Sequence, residues 1–575
     1  MAWAGGGYFP RTWGVVLLVE AIVLVSIAIL AGRIEPDRRG LAIVGSLVGL
    51  AVWQAVSRGW ATAPDAAILE AERTLVYAGA AAGAFLAVPR ARAADLVLGV
   101  LAGTTVVTVG GLLEHTVAAG VPSDRLDLPV GYTNAAGILA TTTILLGLGF
   151  TTGEPRWRAA AGAAVAVPAT ATLYLSLSRG SVVVAAVGLV VLFGTARSVG
   201  LARLALAAVP CGAAALVASR LGSFGDSGVS GSELGSLAAL AALSLAAVAL
   251  VLHPPRVRLP RVSRRWVLAV GAVLVVGVVL AGVREVRDVR ATPATQQGAP
   301  ERLLSTSTSS RGDYWDVALE MVAREPVLGE GAGSFERAWL LERPALLFAK
   351  DAHNGYLEAL AELGPLGLAL LVVALGVPLL AARAASADAT GRAALAAYVA
   401  LLLHVVLDWD LELPAVTLCT ILLGVALVRL TGRGRVAPIR GLPRASLVAA
   451  AAALGLVAIV VHAGNTAAQD AHRALDRAEV GEAHRAADRA RRFAPWAAEP
   501  WRLLGEAELA AGRLPLAREQ LRRAAEEDPR SWETWLALAF AAEGDERAGA
   551  LARVRALNPL APELEAFATE DHSKG

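Results

Sequence analysis

A histidine at the border between a polar and an apolar segment has the position and the side chain to do acid–base chemistry. His353 follows the polar residues 284–350 and opens the stretch His-Asn-Gly-Tyr-Leu-Glu-Ala-Leu-Ala-Glu-Leu-Gly, which ends at Gly364 and runs into an apolar segment. On a helix, the eleven-residue step from His353 to Gly364 places both residues on one face. An imidazole with an ordinary pKa of about 6.5 accepts protons at neutral pH. The sequence therefore predicts a general base at the outer end of a membrane helix.

Two arginines have side chains suited to an anionic substrate group. Arg179 lies in a short connection between two apolar runs, within Ser178-Arg179-Gly180, and Arg311 lies in the polar segment before His353. An arginine at a membrane edge marks either a binding site or a residue that reaches to the interface. Guanidinium groups give bidentate, permanently charged partners for a diphosphate. Both arginines are therefore candidates, with a solvated loop residue as the alternative for Arg311.

Four further polar residues are candidates for substrate binding. Asn134 stands at the predicted start of a helix, where it could bind substrate or act as an N-cap, and Asn354 has the same two possible roles. His404 and Asp408 are four residues apart on one predicted helix face. These two side chains could order the acceptor or the imidazole of His353.

The composition predicts that these residues are positioned by membrane helices. The chain has 575 residues, of which 56% are hydrophobic, and a mean hydropathy of +0.56. Soluble proteins of this size are less apolar. Apolar runs long enough for a bilayer begin near Trp13, Leu41, Leu75, Leu96, Ala135, Ala159, Val182, Leu204, Leu234, Val267, Gly355, Ala394, Ala415 and Leu447. The first run has no clear cleavage site, so a retained helix is expected.

Charge placement predicts the orientation and excludes one class of partner. Arginines and lysines are concentrated in alternate connections between the apolar runs, so those connections are expected to be cytoplasmic. Residues 284–350 and the C-terminal tail are then extracytoplasmic. The net charge is only +2, without a basic face, which argues against nucleic-acid binding. The two cysteines, Cys211 and Cys419, fall inside apolar runs and predict neither disulfides nor thiolate metal sites.

A repeat follows the membrane part. Pro495 and Pro529 are separated by a period of about 34 residues, as are Trp501 and Trp535. This period, with a helix-ending proline, resembles tetratricopeptide repeats, and three helix pairs fit between residues 465 and 568. The repeats would serve as a stabilising cap or as a docking site for a partner or acceptor. The predicted domains are 1–283 (N-terminal transmembrane helices), 284–353 (extracytoplasmic loop with short helices), 354–463 (C-terminal transmembrane helices) and 464–575 (helical repeats).

The motifs together resemble a known family. Ser178-Arg179-Gly180, the Arg311…Trp315…Pro326…Gly329 run and the His353-Asn354 helix start are similar to those of the O-antigen ligase and polymerase superfamily of bacterial membrane glycosyltransferases. The resemblance covers about residues 132–430. It departs from the usual pattern in the C-terminal repeats and in the long segment between residues 220 and 265. The implied fold is all-α: a GT-C-like bundle of about 12–14 transmembrane helices in the bacterial cytoplasmic membrane, followed by the repeat domain.

The resemblance also implies an activity and its residues. It implies metal-independent, inverting transfer of a glycan from an undecaprenyl-diphosphate carrier to an acceptor hydroxyl on the outer membrane face. His353, Arg311 and Arg179 would be catalytic, and Asn134 is similar to a polar asparagine of the family. The implied partners are the lipid-linked donor, a glycan, cell-wall or protein acceptor, the bilayer, and a possible protein at the repeats. No cofactor is expected.

Several alternatives remain open at the level of sequence. Ligase, polymerase and protein glycosyltransferase activities are not separated by these residues. A transporter or flippase of lipid-linked glycans would also have many helices and a charged cavity, although repeated halves are not evident. A scaffold built around the repeats is a third reading. Asp408-Trp409-Asp410 has the form of a metal-binding Asp-X-Asp pair, but the tripeptide is common by chance, and no metal is expected.

Overall fold

The protein is helical almost throughout. The computed structural model describes residues 1–117, 125–196, 198–221, 231–255, 311–432, 436–438, 440–565 and 567. Within these residues the strands are limited to a two-residue antiparallel ribbon, Arg33–Ile34 with Ala437–Pro438. The predicted fold class, an all-α membrane bundle with a helical repeat region after it, is confirmed.

The described helices fall into three groups along the chain. The N-terminal group comprises α1 Arg11–Leu30, α2 Arg38–Ser57, α3 Pro64–Ala87, α4 Ala93–Val117, α5 Thr133–Phe150, α6 Arg156–Ser176, α7 Arg179–Thr195, α8 Ser198–Ala218 and α9 Gly231–Leu252. The middle group comprises α10 Arg311–Arg324, α11 Phe335–Glu342, α12 Gly355–Gly376, α13 Ala382–Ala385, α14 Ala389–His404 and α15 Pro414–Thr431. The C-terminal group comprises α16 Leu442–Asp476, α17 Val480–Phe493, α18 Ala498–Ala510, α19 Leu514–Glu527, α20 Trp532–Ala541 and α21 Gly544–Leu557.

The apolar runs of the sequence become helices. Among the described residues, 10 helices are long and apolar enough to cross a membrane, and α7 and α14 are shorter apolar helices. Helix α3, also expected to span, carries Glu70, Glu72 and Arg73. The run near Val267 and the low-complexity stretch Ala291–Ser310 lie outside the described residues.

Small residues bring the central helices close together. Helix α5 is buried along nearly its whole length and packs against α6 and α14. A Cβ added to Gly147 of α5 would lie 2.5 Å from the carbonyl oxygen of Gly162 on α6, and one on Gly149 would lie 2.4 Å from the Cβ of Ala393 on α14. Lipid tails are as apolar as the helix surfaces, so the hydrophobic effect does not drive helices together in a bilayer. Close backbone approach at small residues is how they pack instead.

The helix after His353 differs from the sequence prediction. Helix α12 begins at Gly355 with Asn354 as its N-cap, so His353 lies in the turn before the helix. The helix is then broken at Gly364, whose φ is +64°, next to Pro365. The prediction that His353 and Gly364 share one helix face is therefore wrong. The cause is that a capping asparagine and a Gly-Pro pair divide the stretch that the periodicity treated as one helix.

The three glycines between residues 329 and 333 form irregular backbone. Gly329, Gly331 and Gly333 have φ values of +70°, +97° and +69°. The carboxylate of Glu362, on α12, accepts hydrogen bonds from the backbone N–H groups of Gly333 at 2.8 Å and Phe335 at 2.9 Å. Glu362 thus holds the glycine loop against the break in α12.

Replacing Gly364 with alanine should destabilise the protein by about 2 kcal/mol, because a left-handed backbone strains an L side chain. The added Cβ would also lie 2.3 Å from the carbonyl oxygen of Val327. The measurement is the apparent melting temperature of the detergent-solubilised protein. Gly376→Ala is the matched control, since a Cβ at Gly376 of the same helix meets nothing within 4 Å. Equal melting temperatures for the two variants would contradict the prediction.

The repeat domain is joined to the membrane part by one continuous helix. Helix α16 runs without a break from Leu442 to Asp476. Its C-terminal part pairs with α17, and α18–α19 and α20–α21 form the next two pairs. The three helix pairs are thus as predicted, while the expected domain boundary at residue 464 falls inside a helix.

The repeat domain contacts the segment between α10 and α12. Arg337 of α11 forms an ion pair with Asp528, with one N–O distance of 2.9 Å, and Arg343 donates to the Asn558 side chain at 2.7 Å. Asp528 follows α19 and Asn558 follows α21, and each directly precedes a proline. Equivalent positions of two repeats therefore contact the same short helix, α11. At the other edge, Asp65 of α3 accepts from the backbone N–H of Ala498 at 2.8 Å.

Replacing Arg337 with alanine should loosen this contact. Asp528 is 3% exposed, and leaving its carboxylate without the arginine costs about 2 kcal/mol. Hydrogen–deuterium exchange in Trp532–Ala541 should become faster. Arg530→Ala, on the exposed side of the same turn, is the control and should leave exchange unchanged. Unaltered exchange in Arg337→Ala would show that the ion pair does not hold the repeats.

Candidate active site

Several helix ends meet at one end of the bundle. They are the starts of α5, α7 and α10, the turn before α12, and residues 405–413 between α14 and α15. Because α5, α7, α10 and α12 begin here and α14 ends here, residues far apart in sequence become neighbours. Every predicted site residue lies on one of these segments, except His404, which is the last residue of α14.

Asp408 is the centre of the first network. Its carboxylate accepts hydrogen bonds from the Tyr132 hydroxyl at 2.7 Å and the Asn134 side chain at 2.5 Å, and it lies 3.4 Å from the Arg311 guanidinium. Asp408 is 1% exposed. Burial acts to raise its pKa, but Arg311, followed by the two nearby histidines, outweighs burial and lowers it. Asp408 is therefore an anion that fixes Arg311 in place.

His353 lies beside this network with one nitrogen committed. Its Nδ1 is 3.0 Å from the backbone carbonyl oxygen of Asp351, and since a carbonyl only accepts, Nδ1 carries the proton. Nε2 then carries the lone pair. The ring lies between Tyr314, at a centroid distance of 5.1 Å, and Trp409, at 6.3 Å. Burial lowers the His353 pKa, with Arg311 adding to the effect and Asp408 opposing it. The arrangement suits a neutral imidazole that accepts a proton.

The backbone is left-handed at two residues of the site. His353 has φ +54° and Leu177, directly before Ser178-Arg179-Gly180, has φ +50°. Such values cost a non-glycine residue about 1–3 kcal/mol and persist only where surrounding contacts enforce them. Ala478 is the other described non-glycine residue with positive φ. The backbone at His353 and at Leu177 is thus held in conformations that these residue types do not favour.

His404 belongs to a second network. Its Nδ1 is 2.7 Å from the Asp410 carboxylate, and its Nε2 is 3.1 Å from the Ser181 hydroxyl. Ser181 is in turn 2.9 Å from the Ser178 hydroxyl. The expectation that His404 orders the imidazole of His353 is not what these contacts show. His404 instead holds the start of α7.

Arg179 is the first residue of α7 and lies next to that second network. Ser178, the N-cap, accepts from the backbone N–H of Ser181 at 3.4 Å. A Cβ on Gly180 would lie 3.4 Å from His404 Nε2, an ordinary contact distance, so the start of α7 lies beside the His404 ring. Asn134 joins the two networks, because its carbonyl oxygen accepts from Ser181 at 3.4 Å while its side chain donates to Asp408.

The structure resolves two alternatives left open by the sequence. Asn134 is not the N-cap of α5, since Tyr132 holds that position and the Asn134 side chain bonds to Asp408. Asn354 is a cap, with its side-chain oxygen accepting from the backbone N–H of Leu357 at 3.2 Å. Asp408 and Asp410 have different partners, Arg311 at 3.4 Å and His404 at 2.7 Å.

Sequence reasoning missed three residues of the site. Tyr132 and Tyr314 contact Asp408 and His353, and Arg125 donates to the carbonyl of Ser176 at 3.0 Å and to the Asn134 side chain at 3.4 Å. The available signals were weak. Tyr132 is two residues from Asn134 and Tyr314 is three residues from Arg311.

Comparisons with known proteins identify two parts of the chain. Residues 228–372 match the family model of the O-antigen ligase, and residues 498–541 match the tetratricopeptide repeat. The first match includes Arg311, His353 and Asn354, and leaves out Arg179, Asn134, His404 and Asp408. A search of curated proteins gives no match.

Proposed function

We propose that this chain, a multi-pass membrane protein with an O-antigen ligase domain and a tetratricopeptide repeat, is a glycosyltransferase that uses a lipid-linked donor. In this proposal a glycan moves from an undecaprenyl-diphosphate carrier to an acceptor hydroxyl. The acceptor is a glycan, a cell-wall polymer or a protein. The observation that carries the proposal is the meeting of Arg311, Asp408 and His353 within the helix ends of one membrane bundle.

The proposed reaction assigns the two ends of the transfer to different side chains. A bond forms between the acceptor oxygen and the anomeric carbon while the bond from that carbon to the diphosphate breaks. The hydroxyl proton goes to Nε2 of His353, since Nδ1 is bonded to the Asp351 carbonyl. Attack opposite the leaving group inverts the anomeric centre.

The leaving lipid diphosphate is assigned to the arginines. Arg311 lies 3.4 Å from the Asp408 carboxylate, and this ion pair fixes the orientation of its guanidinium group. Arg179 stands at the N-terminus of α7, where the helix dipole also favours an anion. Together they neutralise charge that develops during transfer. Arginines in these places supply what a metal ion supplies in Asp-X-Asp enzymes, which supports a metal-independent reaction.

The proposed location is the outer face of the cytoplasmic membrane. Arg90, Arg392 and Arg429 are bound at the end of the bundle opposite to the site, where Arg90 contacts Glu35 at 3.3 Å and Arg392 contacts Thr152 at 3.2 Å. By the positive-inside rule that end is cytoplasmic. The repeat domain lies on the same side as the site, since it contacts Arg337. We therefore assign acceptor or partner binding to the repeats.

The test is a transfer assay with purified protein. The protein is incubated with undecaprenyl-diphosphate-linked glycan and each class of acceptor, and released lipid diphosphate and elongated product are measured. Release that depends on acceptor supports the proposal, and the acceptor that is elongated defines the activity. Movement of the labelled lipid across vesicles without any release would show a flippase instead.

A further inference from the structure

A group of buried carboxylates lies directly behind the His353 turn. Its members are on α3, on the turn before α12, on α12 itself and on the segment that follows Asp408: Glu70, Asp351, Glu358, Glu362 and Glu412. Arg73 is the guanidinium that lines the same cavity, and Lys350 adjoins Asp351. Within the described part of the chain, five acids therefore share two basic groups. Buried negative charge in excess of this kind requires protons or a cation.

The hydrogen bonds of the group leave oxygens unused. Arg73 pairs with Glu70 and with Glu412, and both oxygens of Glu362 are occupied by the glycine loop. One oxygen of Glu358 accepts from the backbone N–H of Ala352 at 2.7 Å. The described residues show no hydrogen bond to the Asp351 carboxylate.

Three of the carboxylates lie close to one another. Oxygens of Asp351, Glu358 and Glu412 all lie within 4.8 Å of one another. Ca²⁺ binds oxygen at about 2.3–2.6 Å, so two of its ligands lie at most about 5 Å apart. Mg²⁺ binds at about 2.0–2.1 Å, which limits the separation to about 4 Å. The upper limit of 4.8 Å lies within the range that two Ca²⁺ ligands can span.

A fourth oxygen at this cavity has no partner. Gln54 of α2 is 7% exposed, and its side-chain oxygen has no hydrogen bond among the described residues. Gln54 lines the same cavity as Glu358 and Glu412. An unpaired amide oxygen costs free energy when buried, and amide and carboxylate oxygens are the ligands that Ca²⁺ takes.

We propose that Asp351, Glu358 and Glu412, with the side-chain oxygen of Gln54, bind one divalent cation of the size of calcium. The ion joins the turn that carries His353 to the segment that carries Asp408 and Asp410. It lies behind the site and touches neither the donor nor the acceptor, so its role is to position the two segments. The inference stands apart from the proposed reaction, because ion binding is measurable without transfer.

The experiment measures binding of Ca²⁺ alone to the full-length protein. Detergent-solubilised protein is stripped with a chelator, and radioactive Ca²⁺ binding is measured at equilibrium together with the melting temperature. We expect one Ca²⁺ per chain, a higher melting temperature with Ca²⁺, and much weaker binding of Mg²⁺. Asp351→Asn combined with Glu358→Gln should weaken binding by about tenfold or more.

Glu320→Gln, an exposed acid on α10, is the control and should bind Ca²⁺ like the wild type. Absence of Ca²⁺ binding in the wild type would overturn the proposal, as would unchanged binding in the double variant. Equal affinity for Mg²⁺ would overturn the assignment to calcium. If the double variant does not fold, the wild-type titration with the two ions decides alone.

Discussion

Replacing His353 with alanine is expected to lower the rate of glycan transfer by about 10²–10⁴-fold, the contribution typical of a general base. The imidazole is the group whose lone pair, on Nε2, is oriented by a bond on the other nitrogen. Without it the acceptor hydroxyl must lose its proton to water. The measurement is release of lipid diphosphate at saturating donor.

Binding of the donor should survive this change, because the proposed diphosphate partners are Arg311 and Arg179. The loss should therefore appear in kcat and not in the donor KM. His253→Ala, which removes an exposed histidine just after α9, is the matched control and should leave the rate unchanged. An unreduced kcat in His353→Ala would exclude His353 as the base.

Replacing Arg311 with alanine is expected to lower transfer by about 10²–10³-fold, as for loss of one group that stabilises transition-state charge. Arg311→Lys should recover only part of the lost rate. A lysine ammonium lacks the planar set of N–H donors with which a guanidinium can bind Asp408 and a phosphate at the same time. The readout is again release of lipid diphosphate. Arg324→Ala, at the other end of the same helix, is the control. A lysine variant as active as the wild type would contradict the bidentate role.

The contact between Arg311 and Asp408 can be tested separately. Asp408→Asn should also lower the rate, since it removes the anion that anchors the guanidinium. The double variant Arg311→Ala with Asp408→Asn should be hardly worse than Arg311→Ala alone. Multiplicative losses would show that the two residues act independently.

The helices could be predicted from the sequence because hydropathy is a local property. Apolar runs of sufficient length gave the membrane helices, and the period between Pro495 and Pro529 gave the repeat pairs. What failed was also local in origin. The periodicity of residues 353–364 gave no sign of the Asn354 cap or of the break at Gly364. Because of the cap, His353 lies before the helix and not on its face.

The site was predictable only in part. His353, Arg311 and Arg179 were identified because their residue types and motif neighbours suggested chemistry. Their partners were not, because Tyr132 and Asp408 are brought together across 276 residues by the packing of α5 against α14. Within the motif itself, the sequence could not separate His353, which faces the site, from Glu362, which holds the glycine loop.

The unbroken helix α16 sets a fixed height for the repeat domain. Its 35 residues make a rod of about 52 Å, of which about 30 Å fills the hydrocarbon core. About 20 Å of the helix thus extends beyond the lipid. The contacts of α11 with Asp528 and Asn558 fix the position of the repeat helices that follow it. The length of α16 therefore sets the distance of the repeat helices from the lipid surface. Lengthening the exposed part of α16 by whole turns would increase the distance between the repeats and the lipid surface in steps of about 5.4 Å.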